Sequence, residues 1–486
     1  MIHWVGYPGD NLKPVRYNDW NSVSSQEHTP NPQDEVEQSW TAFFDGLQEL
    51  IEHERVRPVR KSPDPEVLTA ELPLEFADAG LPIGDLVDAL VDVGKATPVT
   101  STEQFFNQLF GGRIEAAAIA EMFAAFLNNS MYTYKVAGAQ VLIERTVMDQ
   151  MLEFTGFENG EGTFTPGGSL SNMLAMIVAR EEHFPETEDG RPHSERPIAY
   201  TSDLGHYSVR KNAFLSGLGR NNLKTVATNS AGRIDPVDFA TQIEKDLANG
   251  YKPFFVNLTA GTTVLGAFDS IPELTAIARE HGMWVHVDGA MGGSLLLSAK
   301  HRHLLAGLEE VDSFTWDSHK LMGVPLTSSV CLFKDRGLLA KHLAERADYL
   351  FQDGKPLLDP GITSMQCGRR NDALKVWAAW KYLGNDGYEA RIDNMVAMAA
   401  YAAARIEELP GLTLMKQPES INVTFTVDGV EPPAICDALY ENELAMVGHA
   451  IVDGQNVIRL AVSAPTTTEQ IDRFLESVTQ TADTLR

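Results

Sequence analysis

Apolar positions recur at helical spacing in SWTAFFDGLQELIEHE and IGDLVDALVDV, which predicts two helices within the first hundred residues. The chain up to Asp64 is rich in proline and polar side chains, and PVRYNDW and HTPNPQDE read as turns. So uneven a stretch is not expected to enclose a core. Residues 1–100 therefore read as an arm lying on the rest of the chain or on a second copy.

The pattern changes from residue 101. GRIEAAAIAEMFAAFLNN and KVAGAQVLIERTVMDQMLEF predict helices. Short apolar runs then alternate with helical stretches: RPIAYTS, LKTVAT, KPFFVNLTA, MWVHVDGA, DSFTW and TSSVCLF. Strands separated by helices predict an α/β fold with a mostly parallel sheet covered on both faces. DPVDFATQIEKDLANG carries an Asp cap and a closing Gly, and SIPELTAIAREHG offers Ser270 as its cap.

The last 120 or so residues differ again. NDALKVWAAWKYLG and RIDNMVAMAAYAAARIEELPG read as two helices. INVTFTV alternates, with Ile421, Val423, Phe425 and Val427 on one face, and reads as a half-exposed strand. NVIRLAV sets Arg459 opposite Ile458, Leu460 and Val462. A final helix opens with Thr466 and Glu469 at capping-box spacing. The expected organisation is an arm (1–100), a large domain (101–365) and a small α+β domain (366–486).

Composition narrows the function. The 486 residues hold 39 basic and 67 acidic side chains, a formal charge of −28, which excludes nucleic acid and anionic membrane surfaces as partners. No stretch reaches 18 apolar residues, and the first residues show no signal-peptide pattern. Cys331, Cys367 and Cys436 are too sparse and too far apart to form a redox or metal pair. A cytoplasmic protein is the expectation.

Three sites carry candidate chemistry. SFTWDSHKLMG places Asp317, Ser318, His319 and Lys320 just past a predicted strand, where α/β sheets keep their sites and where a lysine could form a Schiff base. WVHVDGAMGG ends another strand with Asp288, a partner for a cationic ring nitrogen or a metal, or simply a helix cap; small residues beyond it leave room for something flat. FTPGGSLSNM puts Gly168 and Ser169 at a helix start, a cradle suited to a single phosphate and lacking the lysine of a nucleotide P-loop. Thr259, Thr262, Thr263 and Asp269 follow a strand and suit phosphate or ring contacts, or only a turn. His206 could stack on a planar cofactor. The thirteen histidines include no HExxH pair, so no metal is expected. One phosphate, one ring nitrogen, one lysine and one imidazole are together what pyridoxal 5′-phosphate requires.

The motifs FFNQLF, YTYKVA, FTPGGSLSNM, HYSVRKNA, TAGTTVLGAFD, HVDGAMGG, WDSHKLMG, YLFQD and QCGRRNDALKVW occur in this order from about residue 65 onward. Together they resemble the pyridoxal-phosphate-dependent amino acid decarboxylases of the glutamate, cysteine sulfinate and aromatic amino acid branch. The resemblance implies an aspartate-aminotransferase-like fold and a homodimer with sites at the subunit interface. It makes Lys320 the Schiff-base lysine, Asp288 the partner of the ring nitrogen, His206 the stacked imidazole and Ala290 the support on the other face. Gly168, Ser169, Thr263, Ser318 and His319 then contact or position the cofactor, Asp269 falls on an acidic position of the family, and Tyr349 is the proton-donating tyrosine of a loop.

Arg459 resembles the arginine that grips a substrate carboxylate in the glutamate and cysteine sulfinate enzymes, and Asn107 and Gln108 fall on pocket positions. Tyr132 in MYTY resembles the cysteine sulfinate enzymes, which favours a short acidic substrate, cysteine sulfinate or aspartate, over glutamate. The chain departs from the animal enzymes at Gly289 and Met291, with WDSHK where they have WNPHK, and from the acidic branch at Lys135 and Gly138.

Overall fold

A computed structural model describes residues 32–56, 59, 61–345 and 358–486. The residues fall into two compact units, one made of the described residues to His53 with Pro63–Ala96, the other of Glu54–Ser62 with Thr97–Arg486. The first holds most of α1 (Pro32–Val56), with α2 (Pro65–Glu71) and α3 (Ile83–Ala96). Within it α1 and α3 lie close because glycines meet the facing side chains. A Cβ on Gly46 would stand 2.8 Å from Val87, and one on Gly94 would stand 2.7 Å from Leu50. A Glu49–Lys95 ion pair joins the same two helices.

The second unit opens with β1 (Phe105–Phe106), α4 (Glu115–Leu127), α5 (Tyr134–Ala137) and α6 (Ala139–Thr155). The expected single helix over 135–154 is broken at Gly138, whose φ of 54° ends one helix and starts the next. Next come β2 (Glu161–Thr165), α7 (Gly168–His183), β3 (Arg196–Ser202), α8 (Ser208–Leu215), β4 (Leu223–Val226) and α9 (Pro236–Ala248). They are followed by β5 (Tyr251–Thr259), α10 (Ile271–Glu280), β6 (Trp284–Asp288), β7 (Ser313–Asp317), β8 (Ser329–Phe333) and α11 (Leu338–Leu343). All six strands predicted for this region are present, and β2 is an addition.

These strands form a seven-stranded sheet in the order β2-β8-β7-β6-β5-β3-β4. Neighbours from β7 through β4 are parallel, while β8 runs antiparallel to both β7 and β2. Alternate side chains divide between two apolar clusters. Ile198, Tyr200, Val285, Val287, Val330 and Leu332 belong to one; Ala199, Trp284, Cys331 and Phe333 belong to the other. Helix α7 packs over β5–β8, α9 against β4 and β5, and α10 against β6. A sheet covered on both faces needs apolar residues at successive positions, which is why its strands read as continuous runs.

The chain ends with α12 (Asp372–Glu408), β9 (Leu412–Leu414), β10 (Asn422–Val427), α13 (Pro432–Glu441), β11 (Met446–Val452), β12 (Gln455–Ala461) and α14 (Thr468–Leu485). A second sheet, β1-β11-β12-β10-β9, is antiparallel except where β1 joins β11. Three expectations are corrected. β10 is buried on both faces, Thr424 as well as Val423 and Phe425. The capping box of α14 is formed by Thr467 and Gln470, one residue beyond the expected pair. Ser270 occupies the N-cap of α10 without a side-chain bond, whereas Asp235 does cap α9 by accepting from Val237 and Asp238. The two helices expected in 371–411 are separated by Gly384, at φ 66° and ψ −177°. Among the described residues no helix is long and apolar enough to cross a membrane.

Candidate active site

Strand register brings the chemistry together. Thr259 pairs with Asp288 across β5 and β6, and Asp288 with Thr315 across β6 and β7. Ser329 of β8 lies opposite both Asp317 and Thr165. The carboxyl ends of β2, β5, β6 and β7 therefore share one edge of the sheet, the edge where parallel sheets bind ligands. A cavity of about 490 Å³ opens there, lined by Gly168, Ser169, His206, Thr263, Asp288, Ala290, His319, Lys320, Gln108 and Arg459 among others.

Lys320 follows β7 by three residues and is partly exposed, with its Nζ 3.3 Å from the buried Asp317 carboxylate. Asp288 is buried at the end of β6; its Oδ2 accepts from Asn172 Nδ2 at 2.7 Å and its Oδ1 from the Ala290 amide at 3.1 Å. His206 accepts from the Ser208 amide at Nδ1 and meets the Ser208 hydroxyl there at 2.7 Å. Burial holds the His206 imidazole below the ordinary histidine range, against the opposing pull of Asp288. His319 is lowered for the same reason, with Asp317 opposing, and its Nδ1 lies 2.7 Å from the Ser328 carbonyl.

The start of α7 is fixed from three sides. Ser171 bonds Thr165 at 2.6 Å and Ser329 at 2.8 Å, and Asn212 donates to the Ser169 carbonyl at 2.8 Å. The first amides of a helix have no partner within it. A Cβ on Gly168 would stand 2.9 Å from Asp317 and 3.1 Å from Ala290, so only glycine keeps this corner open. Asp317 Oδ1, Ser318 Oγ and Thr259 Oγ1 are buried near this edge without hydrogen-bond partners.

Arg459 extends from β12 into the same cavity. Its guanidinium donates to the carbonyl of Thr263 at 3.0 Å and to that of Asn107. No carboxylate among the described residues pairs with it, and burial holds its pKa below the arginine range. Asn107 thus meets Arg459 through its backbone, and its side chain faces a neighbouring cavity beside Gly448. Tyr132 does not line the Lys320 cavity, and its ring packs on Gly361. Asp269 is buried away from it, accepting the amides of Ile234 and Thr259 and so fixing the turn. Tyr349 lies outside the described residues. Among the described residues no three His, Cys, Asp or Glu side chains gather as metal ligands would.

Residues 65–428 match the pyridoxal-dependent decarboxylase conserved domain. The chain belongs to this family. It is 40% identical to the human acidic amino acid decarboxylase GADL1 over 366 residues, which cover 74% of this chain and 70% of that protein. It is equally similar, 40% over 367 residues and 74% of each chain, to the mouse cysteine sulfinic acid decarboxylase. The crystal structure of mouse CSAD superposes with a TM-score of 0.88 at 34% identity, covering 93% of this chain and 99% of that one.

The protein is accordingly a pyridoxal-phosphate-dependent carboxy-lyase with the fold of this family. The cavity suits the cofactor on its own terms. It offers a buried carboxylate already supplied with two donors, a side-chain-free corner at a helix start, and a lysine at its rim. Two further residues are part of it: Asn172, to which sequence reasoning assigned no role and which holds Asp288, and Asp317, expected at this edge and found beside Lys320.

Proposed function

We propose that the chain removes the α-carboxylate of short acidic L-amino acids, converting cysteine sulfinate to hypotaurine, aspartate to β-alanine, or both, and releasing carbon dioxide. The observation that carries the acidic side chain is Arg459. Carbonyl oxygens orient its guanidinium without neutralising it, and it faces the cavity that holds Lys320 and Asp288. A buried cation without an anionic partner is costly alone and binds a carboxylate or sulfinate through paired, charge-assisted bonds. The names of the human and mouse relatives, which specify acidic amino acids and cysteine sulfinic acid, support the same class.

The remaining roles are those the family resemblance implies, and the cavity geometry is compatible with them. Lys320 would supply the amine that holds the cofactor aldehyde. Asp288, twice hydrogen-bonded, would hold a protonated ring nitrogen. His206 would cover one face of the ring, Ala290 would support the other and His319 would line the pocket, while Ser318, buried behind the lining, would position its neighbours. Gly168, Ser169 and Thr263 take the phosphate. Pyridoxal phosphate, when bound, accepts the electron pair left as the Cα–carboxylate bond breaks. Residues 101–365 carry this chemistry, and 366–486 form the small lobe that contributes Arg459.

We also propose a homodimer with sites completed between subunits. Helix α4 exposes Ile119, Phe123, Phe126 and Leu127 as a contiguous apolar stripe, and α1 and α3 expose Trp40, Phe44, Leu86 and Leu90. Sedimentation of the purified protein at twice the chain mass checks the assembly.

A panel of cysteine sulfinate, aspartate and glutamate tests the substrate, with carbon dioxide and amine measured together. A dominant glutamate rate, yielding 4-aminobutyrate, would replace the short-substrate reading. Ammonia release or oxygen uptake would point to a different reaction on the same cofactor.

A further inference from the structure

A chain of buried polar groups runs inward from the middle of the sheet to Asp288. The Trp284 indole N–H donates to Ser313 Oγ at 2.8 Å, and Ser313 Oγ lies 2.8 Å from His286 Nδ1. His286 Nε2 lies 3.0 Å from Asn172 Oδ1 and 3.2 Å from Thr315 Oγ1. Asn172 Nδ2 completes the path to Asp288 Oδ2 at 2.7 Å. Trp284 is 7% exposed, Asn172 3%, and Ser313 and His286 0%, so solvent does not substitute for any link.

The chemistry of the two ends sets the direction. An indole nitrogen can only donate, so Ser313 receives that proton and its own hydroxyl hydrogen is free for His286 Nδ1. Nδ1 then accepts, which puts the ring proton on Nε2 and aims it at the Asn172 carbonyl oxygen. That orients the Asn172 amide, whose NH2 faces Asp288. An ionised carboxylate can only accept, so the far end requires the same orientation as the near end.

The ring plane of His286 is held parallel to Phe255, at 19° between planes and 6.1 Å between centroids. Burial lowers the imidazole to about 3, against a smaller opposing push from the Ser313 backbone, so it stays neutral through the working range.

We infer that Trp284, Ser313, His286 and Asn172 form a one-way hydrogen-bond relay whose function is to position Asp288 and hold its carboxyl oxygen as an acceptor. The inference rests on the reading of Asp288 as the partner of the cofactor ring nitrogen and deepens it. These are positioning residues: only Asp288 would touch the cofactor nitrogen. A second consequence is that the carboxylate, with one oxygen bonded by Asn172 and the other by the Ala290 amide, cannot rotate away from the cavity.

The test begins with the unmodified full-length protein, labelled with 15N-histidine and assigned by the signal lost in His286→Gln. His286 is expected as the neutral Nε2–H tautomer from pH 5.5 to 8.5, with or without cofactor. An Nδ1–H tautomer, which the Ser313 backbone carbonyl would favour, or a titrating ring overturns the relay. Trp284→Phe alone leaves the Asp288 end to fix the ring and is expected to keep the Nε2–H tautomer. Combined with Asn172→Leu, which removes the other end, it is expected to give a mixture of tautomers, and an unchanged single tautomer in that double variant also overturns the relay.

Cofactor affinity separates the relay from the reading beneath it. Apoprotein titrated with pyridoxal phosphate is expected to bind at least tenfold more weakly in Asn172→Asp, where one carboxylate would face another, and in Asp288→Asn. Loss in Asp288→Asn alone rejects the relay and leaves the role of Asp288 standing. Unchanged binding in Asp288→Asn rejects the role itself.

Discussion

Replacing Arg459 with Met removes the charge and the planar fork while keeping most of the side-chain length. In the free enzyme the guanidinium bonds two carbonyls and no acid. The Thr263 carbonyl keeps a second donor, Asn422 Nδ2 at 2.9 Å, so the loss to the fold is mainly one bond at Asn107, worth about 1 kcal/mol. A bound carboxylate or sulfinate would gain two charge-assisted bonds, and removing such a buried partner costs about 3–4 kcal/mol. At about 1.4 kcal/mol per factor of ten, kcat/KM for acidic substrates should fall roughly 140-fold to 700-fold. Arg459→Lys keeps the charge and loses the fork, and should fall roughly tenfold. The assay is amine formation from cysteine sulfinate, aspartate, glutamate and a neutral amino acid. Cofactor absorbance and melting temperature are followed in parallel. A variant that keeps kcat/KM within threefold on every acidic substrate refutes the assignment. So does an equal loss on the neutral amino acid, since that would report a damaged site and not a lost side-chain contact.

Lys320→Ala should abolish multiple turnover while circular dichroism and sedimentation stay as in the parent; residual multiple turnover would remove Lys320 from the chemistry. Tyr132→Phe should change the ratio of cysteine sulfinate to glutamate kcat/KM a few-fold if a second copy carries Tyr132 to the site. A ratio unchanged within error would leave Tyr132 as packing for Gly361 alone. Asp269 tests a conflict between burial, which pushes its carboxyl up from 3.8 to about 6, and the amides of Ile234 and Thr259, which pull it down. A folded pKa above the unfolded one stabilises at low pH, and that contribution, about 3 kcal/mol, is lost as pH rises from about 4 through 6. Denaturant titrations should therefore show the parent losing stability relative to Asp269→Asn over that window, and a relative gain would mean that the backbone donors outweigh burial.

The central sheet was legible because each strand is buried on both faces and so appears as an uninterrupted apolar run. β2 was not, because EGTFT is short, carries a glycine and lies just before the glycine corner that opens α7. The site residues that close a strand, Asp288 above all, were legible from position and residue type together. Arg459 was legible by its face of β12, but its anchoring by main-chain carbonyls was not, since any residues can supply them. His286 carried a signal that went unused: strand alternation puts it on the same side as Asp288, two positions on. Asn172 sits inside an ordinary helix sequence, and only the fold brings it to Asp288. Gly289 looked like a departure from the family pattern. The structure gives it a local reason, because a Cβ there would stand 2.2 Å from the Phe314 ring.

The formal charge of −28 bears on how such a site can work. Both the phosphorylated cofactor and an acidic substrate approach against the field of the whole chain, although at physiological salt that field fades over about 8 Å. The cavity is not a basic patch. Lys320 stands beside Asp317, and Asp288 is nearby without a cationic partner of its own among the described residues. Arg459 is the lining cation that no described carboxylate balances, and the open amides at the start of α7 supply the other attraction, suited to a phosphate. Under the proposed function, anion binding would therefore be a matter of contact at two separate points and not of steering from a distance. The separation also sorts the two anions. Under the proposed function the cofactor phosphate would sit at the helix start, where neutral donors can surround it, and the substrate side chain at a planar cation whose fork fits a carboxylate or sulfinate. A neutral amino acid entering the same space would leave that buried cation unpaired, so discrimination against it follows from the cost of the empty contact as much as from the gain of the filled one.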